Sequence, residues 1–144
     1  MIRIDTPRVI VVGAGLAAQY AALKLAPYPV LMISPERLGE GASSGWAQGG
    51  VAAAMDPRDS AGAHALDTIR AGAGTVDPQV ARMVTEEARS HILELSGLGA
   101  PFDRASDGGY VLSREAAHSF ARVVRVCGDQ AGAGIMRTLS ARVR

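Results

Sequence analysis

Two glycines and an alanine, Gly13-x-Gly15-x-x-Ala18 in "VVGAGLAA", follow directly on the β-branched run Val9 to Val12. Each small residue has its own job where a strand turns into a helix. The first permits the tight turn, the second lets backbone approach a pyrophosphate, and the third lets helix and strand pack closely. The helix behind them offers free N–H groups and the positive end of its dipole to phosphate oxygens. The spacing therefore points to dinucleotide binding; a tight turn in an α/β protein that binds something else is the alternative. At the end of the next strand, where an acidic residue usually grips ribose hydroxyls, stand Ser34, Pro35, Glu36 and Arg37. Ser34 takes the ribose position, while Glu36 and Arg37 are either ribose and 2′-phosphate contacts or solvated loop charges.

A second stretch, "GASSGWAQGGVAAA" over 41–54, is nearly bare of side chains apart from Trp46 and Gln48. It is either a linker or a place where something large and flat lies against backbone. A third, "LSREAAHS", carries Arg114, Glu115 and His118. Arg114 and Glu115 read as a surface ion pair or as a charged contact for a ligand, and His118 as a supporting residue. His64, His91 and Cys127 form no constellation with one another in the sequence and read as packing or surface residues.

The elements that must position these residues follow from the apolar pattern. Val9 to Val12 is a continuous run of the kind buried on both faces of a parallel sheet. Leu16, Tyr20, Leu23 and Leu25 predict a helix ending before Pro27, and Val30 to Ile33 a second strand, which makes a βαβ unit and the start of a doubly wound α/β fold. From Ser34 to Met55 no period is evident, so a long functional loop is expected. Leu66, Ile69 and Ala73 mark a short helix. Asp77-Pro78 caps a stronger one through Val80, Met83, Val84, Ala88, Ile92 and Leu95, whose apolar stripe needs a partner surface. "APFDRASDGGYVLS" predicts a hairpin turning at Asp107-Gly108-Gly109, and a last helix is expected from about Asp129 to Val143.

Composition narrows the class. The 144 residues fit one domain, with fifteen Lys and Arg against fourteen Asp and Glu. So even a balance supplies no basic field for nucleic acid or an anionic membrane. The single cysteine, Cys127, cannot form an internal disulfide, and no metal-ligand spacing is present. The apolar run at Val9 stops far short of the ~20 residues a membrane span needs. A cytoplasmic protein with no membrane span and no metal is expected.

Taken together, "VVGAGLAA", "SPERLGEGASSGWAQGGVAAA", "DSAGAHALDTIRAGAG", "GAPFDR", "LSREAAHS" and "CGDQAG" resemble, in matching order over nearly the whole chain, the flavoprotein-subunit family of succinate dehydrogenase and fumarate reductase. The resemblance is strongest to its L-aspartate oxidase branch. It implies a Rossmann-like FAD-binding domain, truncated, with additional helices. In this family the AQGG-type segment lines the isoalloxazine ring and approaches the pyrophosphate, so Ser43, Ser44, Ala47, Gln48, Gly49 and Gly50 inherit those roles beside Gly13, Gly15, Ala18 and Ser34. Respiratory members carry a histidine covalently linked to FAD where this chain has Ser43, which implies a non-covalent flavin.

The resemblance also gives Glu115 the substrate ammonium of L-aspartate. A carboxylate there favours an amino-dicarboxylic acid over succinate through a charge-assisted hydrogen bond. The implied reaction is oxidation of L-aspartate to iminoaspartate in quinolinate and NAD biosynthesis, with oxygen or fumarate as acceptor and quinolinate synthase as a candidate partner. A fumarate reductase-like flavoprotein and a non-catalytic nucleotide-binding module are the alternatives. Some residues depart from the family pattern: Ala116 and Ala117 replace two glycines, Pro35 a lysine, and Ala131 a threonine. Residues 1–144 correspond to the N-terminal part of the FAD-binding domain, without the family's capping and C-terminal helical domains. The chain by itself is expected to be inactive and to hold FAD weakly.

Overall fold

The computed structural model describes residues 5–143. In chain order the elements are β1 (Val9–Val12), α1 (Leu16–Lys24), β2 (Val30–Ile33), a single 3-10 turn (Ser43–Trp46), β3 (Gly50–Ala52), α2 (Ala61–Ala71), α3 (Pro78–Gly97), β4 (Leu112–Ser113), β5 (Val123–Arg125) and α4 (Ala131–Arg142). They form two compact units, one of Met1–Ala47 with Gly132–Arg144, the other of Gln48–Ala131.

The first unit holds the expected βαβ start. β1 and β2 pair in parallel from Val9 opposite Val30 to Val12 opposite Ile33. The expectation that β1 is buried on both faces does not hold: Val12 is 80% exposed, and Val9 and Ile10 are exposed as well. A sheet of two strands leaves a run of this kind uncovered. α1 is nearly apolar all round, yet its buried residue is Gln19. α4 supplies the apolar filling of this unit through Ile135, Met136 and Leu139, each at most 3% exposed.

In the second unit β5 is the middle strand of an antiparallel sheet ordered β3-β5-β4. Neither β3 nor β5 is evident from period, and β3 corrects the reading of 34–55 as an unbroken loop. The expected hairpin over 100–113 shrinks to one bridge, Arg104 to Tyr110, closed by a turn in which Gly108 donates to the Ala105 carbonyl. Its second arm continues as β4 and pairs with β5 instead. The sheet edge offered by β5 wins over the local pairing.

α3 starts and stops as its end signals direct. The Asp77 carboxylate accepts from Gln79 and Val80 N–H, with Pro78 in the first turn. At the other end Ala100 N–H donates to Leu95 O and Gly99 N–H to Ser96 O, with Gly99 at φ +101°, a Schellman arrangement that only glycine adopts without strain. α2 and α3 pack on each other. The stripe is narrower than expected, because Ala81, Thr85, Ile92 and Leu95 are buried while Val80, Met83 and Val84 are at least half exposed. α2 inverts its pattern too: Leu66 is exposed, and His64 and Asp67 are inside.

Candidate functional site

The glycine loop carries two distinct constraints. Gly13 sits at φ +116°, where a side chain is strained, and its N–H donates to Ile33 O at 2.8 Å. Ser34, one residue beyond that carbonyl, is thereby set beside the loop, and its hydroxyl accepts from Glu36 N–H at 3.4 Å. The Ala18 methyl lies 3.7 Å from where a Gly13 Cβ would be, an ordinary van der Waals distance. Gly15 is different. Its φ of −74° suits any residue, and what demands glycine is space, since a Cβ there would lie 3.2 Å from Ser44 Oγ and 3.7 Å from the Ala42 methyl.

Ser44 also accepts a hydrogen bond from Leu16 N–H at 3.2 Å, so the fingerprint and the glycine-rich stretch meet at the start of α1. The Gly15 cap has no side chain to offer. Among the described residues the N–H groups of Gly15, Ala17 and Ala18 take no acceptor. A helix start with three free donors fits a pyrophosphate. The 3-10 turn that presents Ser44 is held from below by α4: Gly132 N–H donates to Ala47 O at 3.0 Å, and a Cβ on Gly132 would run into the Ser44 carbonyl. Ser43 is exposed on this turn, and its side chain makes no hydrogen bond among the described residues. A cavity of about 720 Å³ lies between the turn and α4, bordered by Gly45, Met136 and an 85% exposed Trp46, away from the fingerprint.

In the second unit the stretch continues through exposed Gln48 to Gly49, at φ +74°, and Gly50. Gly50 opens β3, and any Cβ on it would collide with the Val124 carbonyl of β5. A Cβ on Gly49 would lie 3.6 Å from Glu115 Oε1. Glu115 is exposed and belongs to a tight turn: His118 N–H donates to Glu115 O at 3.0 Å, and Arg114 Nε donates to His118 O at 2.9 Å. Arg114 therefore closes the turn and makes no ion pair with Glu115 among the described residues, which removes the surface-pair reading.

Beneath that turn lies a charge cluster that sequence reasoning missed. Arg122 is fully buried and donates through Nε and Nη2 to Asp59, both at 2.8 Å, and through Nη1 to Asp67 at 2.7 Å. Asp67 Oδ2 also accepts from the Ser119 hydroxyl and backbone N–H, each at 2.7 Å. Those two Ser119 bonds, with help from Arg122, hold the Asp67 carboxyl well below the usual carboxylate range despite burial. Asp59 in turn raises the Arg122 guanidinium.

Arg122 Nη1 is also 3.2 Å from His118 Nδ1. A guanidinium only donates, so Nδ1 accepts and the ring proton of His118 is on Nε2. His64 meets His118 edge to face at 5.4 Å between ring centres, and its buried Nδ1 has no hydrogen-bond partner among the described residues. Burial, then the Arg122 charge, pushes the His64 pKa down. The legible trace of this cluster was the inverted face of α2, with His64 and Asp67 three residues apart around an outward Leu66. His91 is 4.0 Å from Glu94, and Cys127 is exposed in a turn whose N–H groups donate to Asp103.

Among the described residues no helix is long and apolar enough to cross a membrane. The profile of the FAD binding domain family matches residues 8–144. The chain is 53% identical over 138 residues to the L-aspartate oxidase of Caulobacter vibrioides, covering 94% of the chain and 27% of that protein. With the L-aspartate oxidase of Mesorhizobium japonicum it shares 46% identity, covering 90% of the chain and 25% of the relative. Sdh1 of Mycobacterium smegmatis superposes with a TM-score of 0.86 at 33% identity, over 92% of the chain and 23% of its own. The quinol–fumarate reductase of E. coli gives 0.85 at 25% identity, over 94% and 24%. The chain thus spans about a quarter of the length of the curated relatives it matches.

Proposed function

Because the chain belongs to the FAD binding domain family, whose cofactor is FAD, we infer that it forms the N-terminal part of the FAD-binding domain of an L-aspartate oxidase. That enzyme converts L-aspartate to iminoaspartate in the cytoplasm, on the way to quinolinate and NAD, with oxygen or fumarate as acceptor and quinolinate synthase as a partner downstream. The capping and C-terminal helical domains of the family lie outside these residues. The observation that carries the reading is the approach of Glu115 to Gly49, which sets a carboxylate against the stretch assigned to the flavin ring.

In this reading the free N–H groups of Gly15, Ala17 and Ala18 hold the pyrophosphate and Ser34 faces the ribose. Backbone without bulk at Ala47 in the first unit, and at Gly49 and Gly50 in the second, would admit a flat ring, and Ser44 and Gln48 would offer it polar groups. Ser43 offers a hydroxyl where covalent relatives have an imidazole, so the flavin is held without a bond to the chain. When bound, the flavin supplies the acceptor for the two electrons that leave the substrate. Glu115 binds and orients the ammonium group, a contact that succinate cannot return. Arg122, through Asp67, Ser119 and His118, fixes the turn that carries Glu115.

The test is chemical. Expressed in its full reading frame and precipitated with acid, the protein should release all its FAD to the supernatant and, before precipitation, produce peroxide or reduce fumarate with L-aspartate but not with succinate. Flavin retained in the pellet would contradict the non-covalent assignment, and succinate oxidation would favour the dehydrogenase alternative.

A further inference from the structure

Gln19 is a fully buried amide on a mostly apolar helix. Its Nε2 donates to Ala14 O at 2.8 Å, inside the glycine loop. Its Oε1 accepts from the Ser140 hydroxyl of α4 at 3.0 Å, across 121 residues of sequence. The amide orientation is determined by its partners, because a carbonyl can only accept and so must face the NH2 group. Ser140 is itself buried, at 8% exposure, and its Oγ would lie 2.9 Å from a Cβ on Gly39. Both polar atoms of the Gln19 amide have a partner, and neither residue belongs to a recognised nucleotide fingerprint.

We propose that Gln19 and Ser140 are positioning residues for the phosphate loop. The physical link is the planar trans peptide between Ala14 and Gly15, in which the C=O and N–H point in opposite directions. Gln19 pulls the Ala14 carbonyl inward, so the Gly15 N–H is turned outward, and among the described residues it has no acceptor. Ser140 keeps the Gln19 amide from rotating, and it stands on the same helix whose Gly132 supports the Ser44 turn. α4 thus sets both walls of the candidate pyrophosphate site. Freed of this tie, the peptide can flip, and a ligand must then meet the ordering cost on binding.

The inference rests on reading the glycine loop as a phosphate site, and two measurements separate its failure from the failure of that reading. Replacing a hydrogen-bonded pair by two apolar side chains of similar size is nearly neutral for stability. The double variant Gln19→Leu/Ser140→Val removes that pair but leaves the Ala14 carbonyl without its donor, so it should stay folded with a somewhat lower denaturant midpoint than the parent. In the ligand-free chain its Gly15 amide 15N–1H resonance should move, and a through-bond coupling between Gln19 Nε2 and the Ala14 carbonyl carbon, present in the parent, should vanish. In a titration with FAD the variant should bind about fivefold or more weakly, the scale of one hydrogen bond. An unmoved Gly15 resonance, or a moved one with unchanged FAD affinity, would overturn the proposal. If the parent shows no FAD binding the flavin reading falls, and the proposal is decided by the ligand-free Gly15 resonance and the coupling alone.

Discussion

Glu115 Oε1 lies 3.6 Å from the point where a side-chain carbon on Gly49 would sit. Two motifs 66 positions apart in sequence approach each other there, one nearly bare of side chains and one carrying a carboxylate. A turn held by Arg114 and braced by the Arg122 cluster makes the contact specific.

Glu115→Gln keeps the shape and removes the charge. In the flavin-loaded enzyme, aspartate kcat/KM should fall by about 1.5–3 kcal/mol in free-energy terms, the range for a hydrogen bond to a charged group. Fumarate or succinate binding should change much less. Equal losses for both ligand types, measured by steady-state kinetics and by inhibition, would make Glu115 a structural residue.

Gly15→Val tests the other end of the site. Its branched side chain would crowd Ser44 Oγ and Ala42 and cover the free N–H groups at the start of α1. In the complete enzyme, flavin content by absorbance should drop to background while Gly15→Ala retains part of it. Full occupancy in the valine variant would remove the phosphate assignment.

Arg122→Ala should cost about 3–5 kcal/mol in urea unfolding, the range for removing one partner from a buried ion pair. The reason is that Asp59 and Asp67 would be left inside with no counter-charge. Arg122→Lys should recover only part, since an ammonium cannot match the two-pronged bond to Asp59. A loss under 1 kcal/mol, about that of an exposed pair, would mean the cluster is solvated.

Stability should fall in two steps as pH drops. His64 is held neutral, with a folded pKa below its unfolded value of about 6.5, so the unfolded chain takes up the proton first and stability declines from about pH 6.5 downward. Asp67 is depressed below an unfolded value of about 3.9, so its contribution is present above that pH and is lost on further acidification. His64→Gln should remove the upper step and Asp67→Asn the lower one, read as unfolding midpoints between pH 3 and pH 8. A flat profile from pH 5 to pH 7 in the parent would contradict the His64 assignment.

What was legible in the sequence was local. Val9–Val12 and Val30–Ile33 announce themselves by β-branching, and α3 by Asp77 and Pro78, because such signals act over a few residues. β3 and β5 are three residues each and exist only through their pairing, so no periodicity marks them. The same holds for the polar interior. Arg122 meets Asp59 and Asp67 across 63 and 55 residues, and Gln19 sits at an apolar-looking helix position whose partner is 121 residues away. The glycine fingerprint was visible, yet the reason for Gly15, the crowding by Ser44, arises only in the fold, where residues 29 positions apart meet.

The most direct test of the FAD assignment is an amide 15N–1H titration of the 144-residue chain with FAD up to millimolar concentration. Weak binding in fast exchange is predicted, with shifts concentrated at Gly13 to Ala18, at Ser43 to Gly50 and at Glu115, and ADP reproducing only the first set. No shift at Gly15 or Gly49 at the highest FAD concentration, or shifts confined to other surfaces, would contradict the account.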